Sequence, residues 1–508
     1  SMNTSVIFSI WGSTVNNGDF TGGVNGTVYF TANSVVTGPI TISGTGIISV
    51  AAQLLIRPNG STITSTAIIT PYPGQLSFTG ARSVSVINTF NLGGTFINNG
   101  QLLSKGTLSV SGNTSFVNGA GATLELWRNI SLSSGSVDFS TNSNTVIYST
   151  NLSVILNTNY RNLTINCTTN GTFGTPSATS SSKTLSFPLS VNGNLSLSSD
   201  VALTCGGNAI SITGNLNHLG TLATGNIVNP GTITFNGSNQ TITRGSGLGT
   251  EILGNVVINS TGSVSLGSNL QCTNLTLSSG TFDLSTSNYT CNLTGNLVTN
   301  AGTTINPRNG KFRFVGTGAQ TISGAGIPTF YDLIIRNSAG VTISGNSFLT
   351  NLLTDSLGNV GTSGVGTIRL VASSPTQYGR IGPVLGSLSG TGWVIDSYID
   401  GPTTAGWQLL SSPISGNTLA DWDSDSRFYT SGVAGNNDGN ACCGVFYSVY
   451  RYESSGWVTV TSISQALTAG RGFLFWVGDN VNTLTAPLIY NSTGSPNRGT
   501  IISPALIV

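Results

Sequence analysis

The sequence predicts an all-β protein: a parallel β-helix (solenoid) followed by a small antiparallel β-sandwich-like domain. Three observations carry this expectation. Short stretches alternate apolar residues with Ser or Thr, which sorts side chains onto the two faces of strands. Motifs return after about 20 residues and again after about 80, the mark of units that must stack to bury their apolar faces. Only 6% of the residues are charged, against roughly 25% in ordinary soluble domains.

Residues 1–89 alternate strongly, as in GTVYFTANSVVTGPITISGTGIISV, but keep no clean register, as expected of a capping or early β-helix region. From Phe90 the register is plain. Phe96-Ile97-Asn98-Asn99-Gly100 returns as Phe116-Val117-Asn118-Gly119-Ala120, 20 residues later. The stretch 270–298, LQCTNLTLSSGTFDLSTSNYTCNLTGNLV, holds the Asn-Leu steps Asn274-Leu275 and Asn296-Leu297, with matching steps at Asn194, Asn215 and Asn351. On the longer period, Gln240-Thr241-Ile242 stands 80 residues before Gln320-Thr321-Ile322. YRNLTIN (160–166), LGNVVIN (253–259) and YDLIIRN (331–337) share one plan, which makes Leu163, Val256 and Leu333, and likewise Ile165, Ile258 and Ile335, core positions.

Stacking also accounts for the composition. Equivalent residues of successive rungs lie about 4.8 Å apart, where like charges repel while Asn, Ser and Thr can form hydrogen-bonded ladders. The solenoid is therefore expected over 90–372. Beyond it, residues 373–508 carry five of the seven Trp and seven of the thirteen Tyr, and the short period is lost. Strands such as GVFYSVYRYE and GFLFWVG, separated by Gly, Asn and Pro, read as an aromatic-rich antiparallel domain that could cover the edge of the last rung.

A net charge of +1 with no basic run disfavours nucleic acid and anionic membranes as partners. The longest mainly apolar stretch, IISVAAQLLI at 47–56, is too short for membrane insertion, and the N-terminus shows no signal-peptide pattern.

Six cysteines show no zinc-type spacing. Cys272 and Cys291 lie 19 residues apart, close to one rung, so they are a candidate disulfide between adjacent rungs, with buried thiols as the alternative. A conventional Ser-His-Asp or Cys-His site would have to use His218, the only histidine, and no nucleophile motif adjoins it; a rung-face histidine is the plainer reading. The solenoid carboxylates are scattered in sequence, Asp200 and Asp283 being the pair that stacking could bring together. No catalytic residue and no required cofactor are assigned. Asp421, Asp423 and Asp425 in DWDSDS, with Asp438 in NNDGN, could offer oxygen ligands to a structural Ca²⁺, although the loop lacks the EF-hand pattern; a solvated turn is the alternative. Trp407, Trp422 and Trp457 could form a sugar-stacking platform, or pack the core of a small β-domain.

GWQLLSSPISGNTLADW (406–422), VYRYESSGWVTVTS (449–462) and ALTAGRGFLFWV (466–477) together resemble the β-rich module near the C-terminus of many secreted Bacteroidota surface proteins. The preceding NLT- and QTI-bearing repeats resemble the β-helical regions of the same type IX secretion cargo. The resemblance implies export to the cell surface and no catalytic mechanism. It departs at the C-terminus, where GTIISPALIV takes the place of a Lys-bearing sorting domain. The expected function is thus a non-enzymatic, adhesin-like extracellular surface protein, with surface glycans or other cell-surface or secretion proteins as partners. The alternatives are a carbohydrate-binding or polysaccharide-degrading β-helix protein and a self-assembling filament subunit, a homo-oligomer.

Overall fold

A computed structural model describes strands between residues 8 and 104, and from residue 107 to 498 the chain except 111–114, 151–154, 167–180, 199–200, 220–226, 229, 246–248, 401–405, 424–427, 437–446, 454–455 and 478–486. The chain forms two compact units, Ser1–Gln271 and Cys272–Val508. The fold is nearly all β, with a solenoid of about 12 turns and a small antiparallel sheet after it.

In the first unit, mostly short strands pair in parallel with the strand one turn on, as the alternation requires. Leu102, Leu124, Val146, Leu163, Leu195, Leu216 and Ile242 are successive register partners, and all seven are buried. Each contributes about 1.5–3 kcal/mol through removal from water. Phe96 pairs with Phe116 and Asn98 with Asn118, the register expected from the 20-residue return. A turn is not constant in length: 21 residues separate Leu195 from Leu216 and 32 separate Leu163 from Leu195.

The second unit repeats the plan. Leu275, Leu297, Ile322 and Ile343 form one buried column, and Cys291, Phe312, Leu333 and Leu353 another. The expected core residues Leu163, Ile165, Val256, Ile258, Leu333 and Ile335 are all buried.

The recurrent polar motifs have a physical explanation at the corners. The Asn162 side-chain oxygen accepts from the Asn194 amide, Asn194 from Asn215, and Asn215 from Thr241, at 2.8–3.0 Å. In the second unit Asn274 accepts from Asn296, and Asn296 from Thr321, at 2.7 and 2.8 Å. Each Asn-Leu step thus places an inward leucine beside an asparagine that caps the backbone of the next turn. Asn351 departs from this plan, donating instead to Asp332 at 2.7 Å.

The QTI motifs hold equivalent positions. Gln240 accepts from the Gly237 amide and donates to the carbonyls of Ile212 and Gly214. Gln320 accepts from Gly316 and donates to Leu293 and Gly295. A Cβ on Gly237 would run into the Thr213 carbonyl and one on Gly316 into the Thr294 carbonyl, so these corners require glycine.

Parallel pairing continues through Ile368↔Trp393 to Leu370↔Ile395, about twenty residues beyond the change in composition. The strand Trp393–Ile399 then pairs antiparallel with Leu488–Pro496, which takes up the edge of the last rung. Among the described residues no helix is long and apolar enough to cross a membrane.

Candidate functional site

The antiparallel sheet of the second unit is ordered Gly406–Leu410, Phe473–Val477, Val449–Glu453, Gly456–Thr459, with Phe428–Tyr429 also paired to Phe473–Val477. Its inner face is a sealed core: Phe473, Phe475, Val477 and Val449 pack with Leu419, Trp422, Leu467 and Tyr490. Period-two alternation puts the neighbouring aromatics on the other face.

That outer face carries a diagonal track of rings. Trp407 lies opposite Trp476, with centroids 5.4 Å apart, and also contacts Tyr450 at 5.5 Å. Tyr452 follows two residues on, and meets Trp457 on the next strand at 5.2 Å. Trp407 is 38% exposed, Trp457 49% and Leu409 65%. From Trp407 to Trp457 the track crosses three strand spacings and four residues, roughly 20 Å from the standard spacings of strands. An exposed apolar strip of this kind marks an interaction surface.

Of the three tryptophans singled out from the sequence, the structure therefore brings Trp407 and Trp457 to one face and removes Trp422 from it. Trp422 is fully buried, with centroids 5.2 Å from both Phe475 and Tyr490, and its indole donates to the Ser492 hydroxyl at 3.0 Å. Tyr450, Tyr452 and Trp476 take the place that the sequence gave to Trp422. The signal for them was present in the spacing: Tyr450 and Tyr452 are two apart on one strand.

Of the acidic candidates, the two described ones are each engaged locally. Asp421 accepts from the Thr418 amide and hydroxyl, closing the one-turn helix Leu419–Asp423, and Asp423 is buried and accepts from the Thr430 hydroxyl. Asp425 and Asp438 lie outside the described residues. Among the described residues no three metal-ligating side chains come together. Asp200 is likewise outside the description, and Asp283 is engaged by Arg308 at 2.9 Å. Partial burial pulls the Asp283 carboxyl upward, but hydrogen bonds from Arg308 and the Ser285 amide outweigh it and hold the group below the ordinary carboxylate range.

Cys272 and Cys291 are neighbours, as stacking predicts, but they are free, buried thiols and not a disulfide. The Thr294 amide donates to the Cys272 carbonyl, which sets Leu293 beside Cys272 and Cys291 two residues back on a diagonal. A diagonal separation of about 7–8 Å between Cα atoms exceeds what a disulfide spans. The neighbouring Cys272 thiol, together with burial, pushes the Cys291 thiol well above its usual range. Burial alone pushes Cys205 up to about 12. Cys167, Cys442 and Cys443 lie outside the described residues. Alkylation of the native protein at pH 8, read by peptide mass mapping, should leave Cys205, Cys272 and Cys291 unmodified until denaturant is added. Modification of any of them within minutes would show that the solenoid interior opens.

His218 occupies an inward position of the first unit, fully buried. Its register partner one turn on is Arg244, also buried, and the two preceding positions of the column are apolar, since Ile165 pairs with Leu197 and Leu197 with His218. Glu251 answers both: His218 Nδ1 lies 3.1 Å from its Oε2, and Arg244 Nη1 3.5 Å from the same oxygen. No sequence signal pointed to this cluster, because Glu251 is 33 residues from His218 and lies outside the repeat motifs.

Fold and face together define a β-solenoid protein with an antiparallel module that presents an aromatic track. Comparison with protein-family models, curated proteins and solved structures finds no match for this chain.

Proposed function

We propose that this chain is a non-enzymatic, adhesin-like extracellular surface protein whose C-terminal module holds a polysaccharide strand along the Trp407–Trp457 track. The observation that carries this reading is the run of exposed rings on one sheet face. Flat aromatic faces bind the apolar faces of sugar rings, and a track of about 20 Å suits an extended chain better than a single sugar. The sequence resemblance to secreted Bacteroidota proteins supports export by a type IX-like route. A binding role rather than a catalytic one is favoured because His218 is sealed inside the solenoid and its Nδ1 faces Glu251.

The test is retention on insoluble polysaccharides, with release of reducing ends measured in parallel. Trp407→Ala and Trp457→Ala are each expected to weaken retention about tenfold, since one ring in such a site is worth on the order of 1–2 kcal/mol. Their melting temperatures should move little, because both rings are exposed. Retention unchanged in the double variant would sink the reading. Steady release of reducing ends would replace it with the polysaccharide-degrading alternative.

A further inference from the structure

We propose a second binding site in the same unit: a pocket that takes an acidic saccharide, bearing a carboxylate or sulfate ester, between Arg380 and Arg498. A cavity of about 660 Å³ is lined by Tyr378 and the strand Arg380–Val384 on one side and by Pro496–Arg498 on the other. That volume lies within the range of small-molecule sites. Leu370, Leu388 and Ile395 give it an apolar wall, and Tyr378, 44% exposed, adds a ring.

Its charge is uneven in a telling way. The one acid in the lining, Asp396, is nearly buried and already committed, accepting from Arg369 Nε at 2.9 and 3.0 Å and from the Ala372 amide at 3.4 Å. Arg498 donates Nη2 to the Gly386 carbonyl at 2.8 Å and also feels the Asp355 carboxylate, so it is the more committed of the two arginines and serves to hold one wall of the cavity in place. Arg380 is exposed, and among the described residues no acceptor pairs with it. Two guanidinium groups thus reach one cavity from two segments of the chain. Planar guanidinium forks suit carboxylate and sulfate oxygens, which bind in bidentate fashion. The apolar wall and the Tyr378 ring require that the anion be carried on a body with an apolar face, which a sugar ring supplies.

The pocket shares no residue with the aromatic track. Its preference for an anion stands on the arginines alone, whereas the choice of a saccharide as carrier rests on the reading of that track.

The experiment is calorimetric titration of the full chain with trigalacturonate, a sulfated disaccharide and neutral maltotriose, on wild type, Arg380→Gln and Trp407→Ala. Wild type is expected to bind one or both acidic probes and not maltotriose, with affinity falling as salt is added. Binding by trigalacturonate alone assigns a carboxylate ligand, and by the sulfated probe alone a sulfate ester. Arg380→Gln should weaken binding about tenfold or more, while Trp407→Ala leaves it unchanged. Because Arg380 is exposed, the variant is expected to fold, and its retention on insoluble polysaccharide serves as the control. The proposal is overturned if neither acidic probe binds, if maltotriose binds equally, or if Arg380→Gln binds as wild type does. Loss of polysaccharide retention in Trp407→Ala with acid binding intact, or the reverse, separates the fate of the two sites.

Discussion

Replacing Glu251 by alanine is expected to cost the first unit about 3–5 kcal/mol, the usual consequence of removing one partner from a buried ionic cluster. The carboxylate faces two groups that are themselves buried, and His218 and Arg244 are stacked as register partners on adjacent turns. Without it the guanidinium stands in the interior beside an imidazole, with no carboxylate between them. His218 Nε2 already lacks a partner among the described residues, so the ring has no second contact to fall back on. The readout is local: hydrogen exchange at Leu216–His218 and Asn239–Arg244 should accelerate strongly, since an assembly of stacked turns need not unfold in one step. Glu251→Gln retains hydrogen-bonding capacity without the charge and should fall between wild type and alanine. Unchanged exchange in the alanine variant would show that the cluster adds nothing to the stack.

Gln320→Ala is the second large effect. Gln320 is buried and uses both ends of its amide: the oxygen accepts from the Gly316 amide and from Asn337 Nδ2, and the nitrogen donates to the carbonyls of Leu293 and Gly295. Truncation strips partners from backbone groups of two successive turns that no water can reach without opening the corner. At about 1–3 kcal/mol for each unsatisfied buried group, the loss should reach at least 3 kcal/mol. Gln320→Glu separates the two halves of the amide, because it keeps an acceptor and loses the donor. Exchange protection at Leu297–Thr299 and Gln320–Ser323 equal to wild type in the alanine variant would refute the assignment.

The Gln320 corner was legible in the sequence as a motif without a role: the return of Gln-Thr-Ile after 80 residues marks equivalent positions, and the structure shows what the glutamine does there. The same holds for the Asn-Leu steps. Period-two alternation is clear in the strands that share the NLTIN-like plan, so the inward residues Leu163, Val256 and Leu333 could be named from pattern alone. The pattern failed where both faces of a strand are apolar. In Phe473-Leu474-Phe475-Trp476-Val477 every residue is apolar, so alternation cannot say which side is core. Trp407 and Trp422 could not be told apart either, because Trp422 sits on the one-turn helix Leu419–Asp423, where strand alternation says nothing about burial. The cysteines failed for a subtler reason. A spacing of 19 brings them to adjacent turns, but the turn here is two residues longer than that, and the two residues convert an opposed pair into a diagonal one. The pocket between Arg380 and Arg498 was beyond reach, since its walls are 112 residues apart in the chain, as the bond from Arg498 to Gly386 shows.

The buried His218–Arg244–Glu251 cluster among turns of similar plan has a consequence for how the chain finds its register. Copies that resemble one another can pair one turn out of step and still bury leucine against leucine, so apolar burial alone distinguishes the right threading from its neighbours only weakly. A slip of one turn between the strands Leu216–His218 and Asn239–Arg244 would part His218 from Arg244 and leave both among residues such as Leu197, Leu266 and Ser268, with no carboxylate to face. The cluster therefore acts as a fiducial mark, a contact that the correct threading satisfies and a slipped one does not.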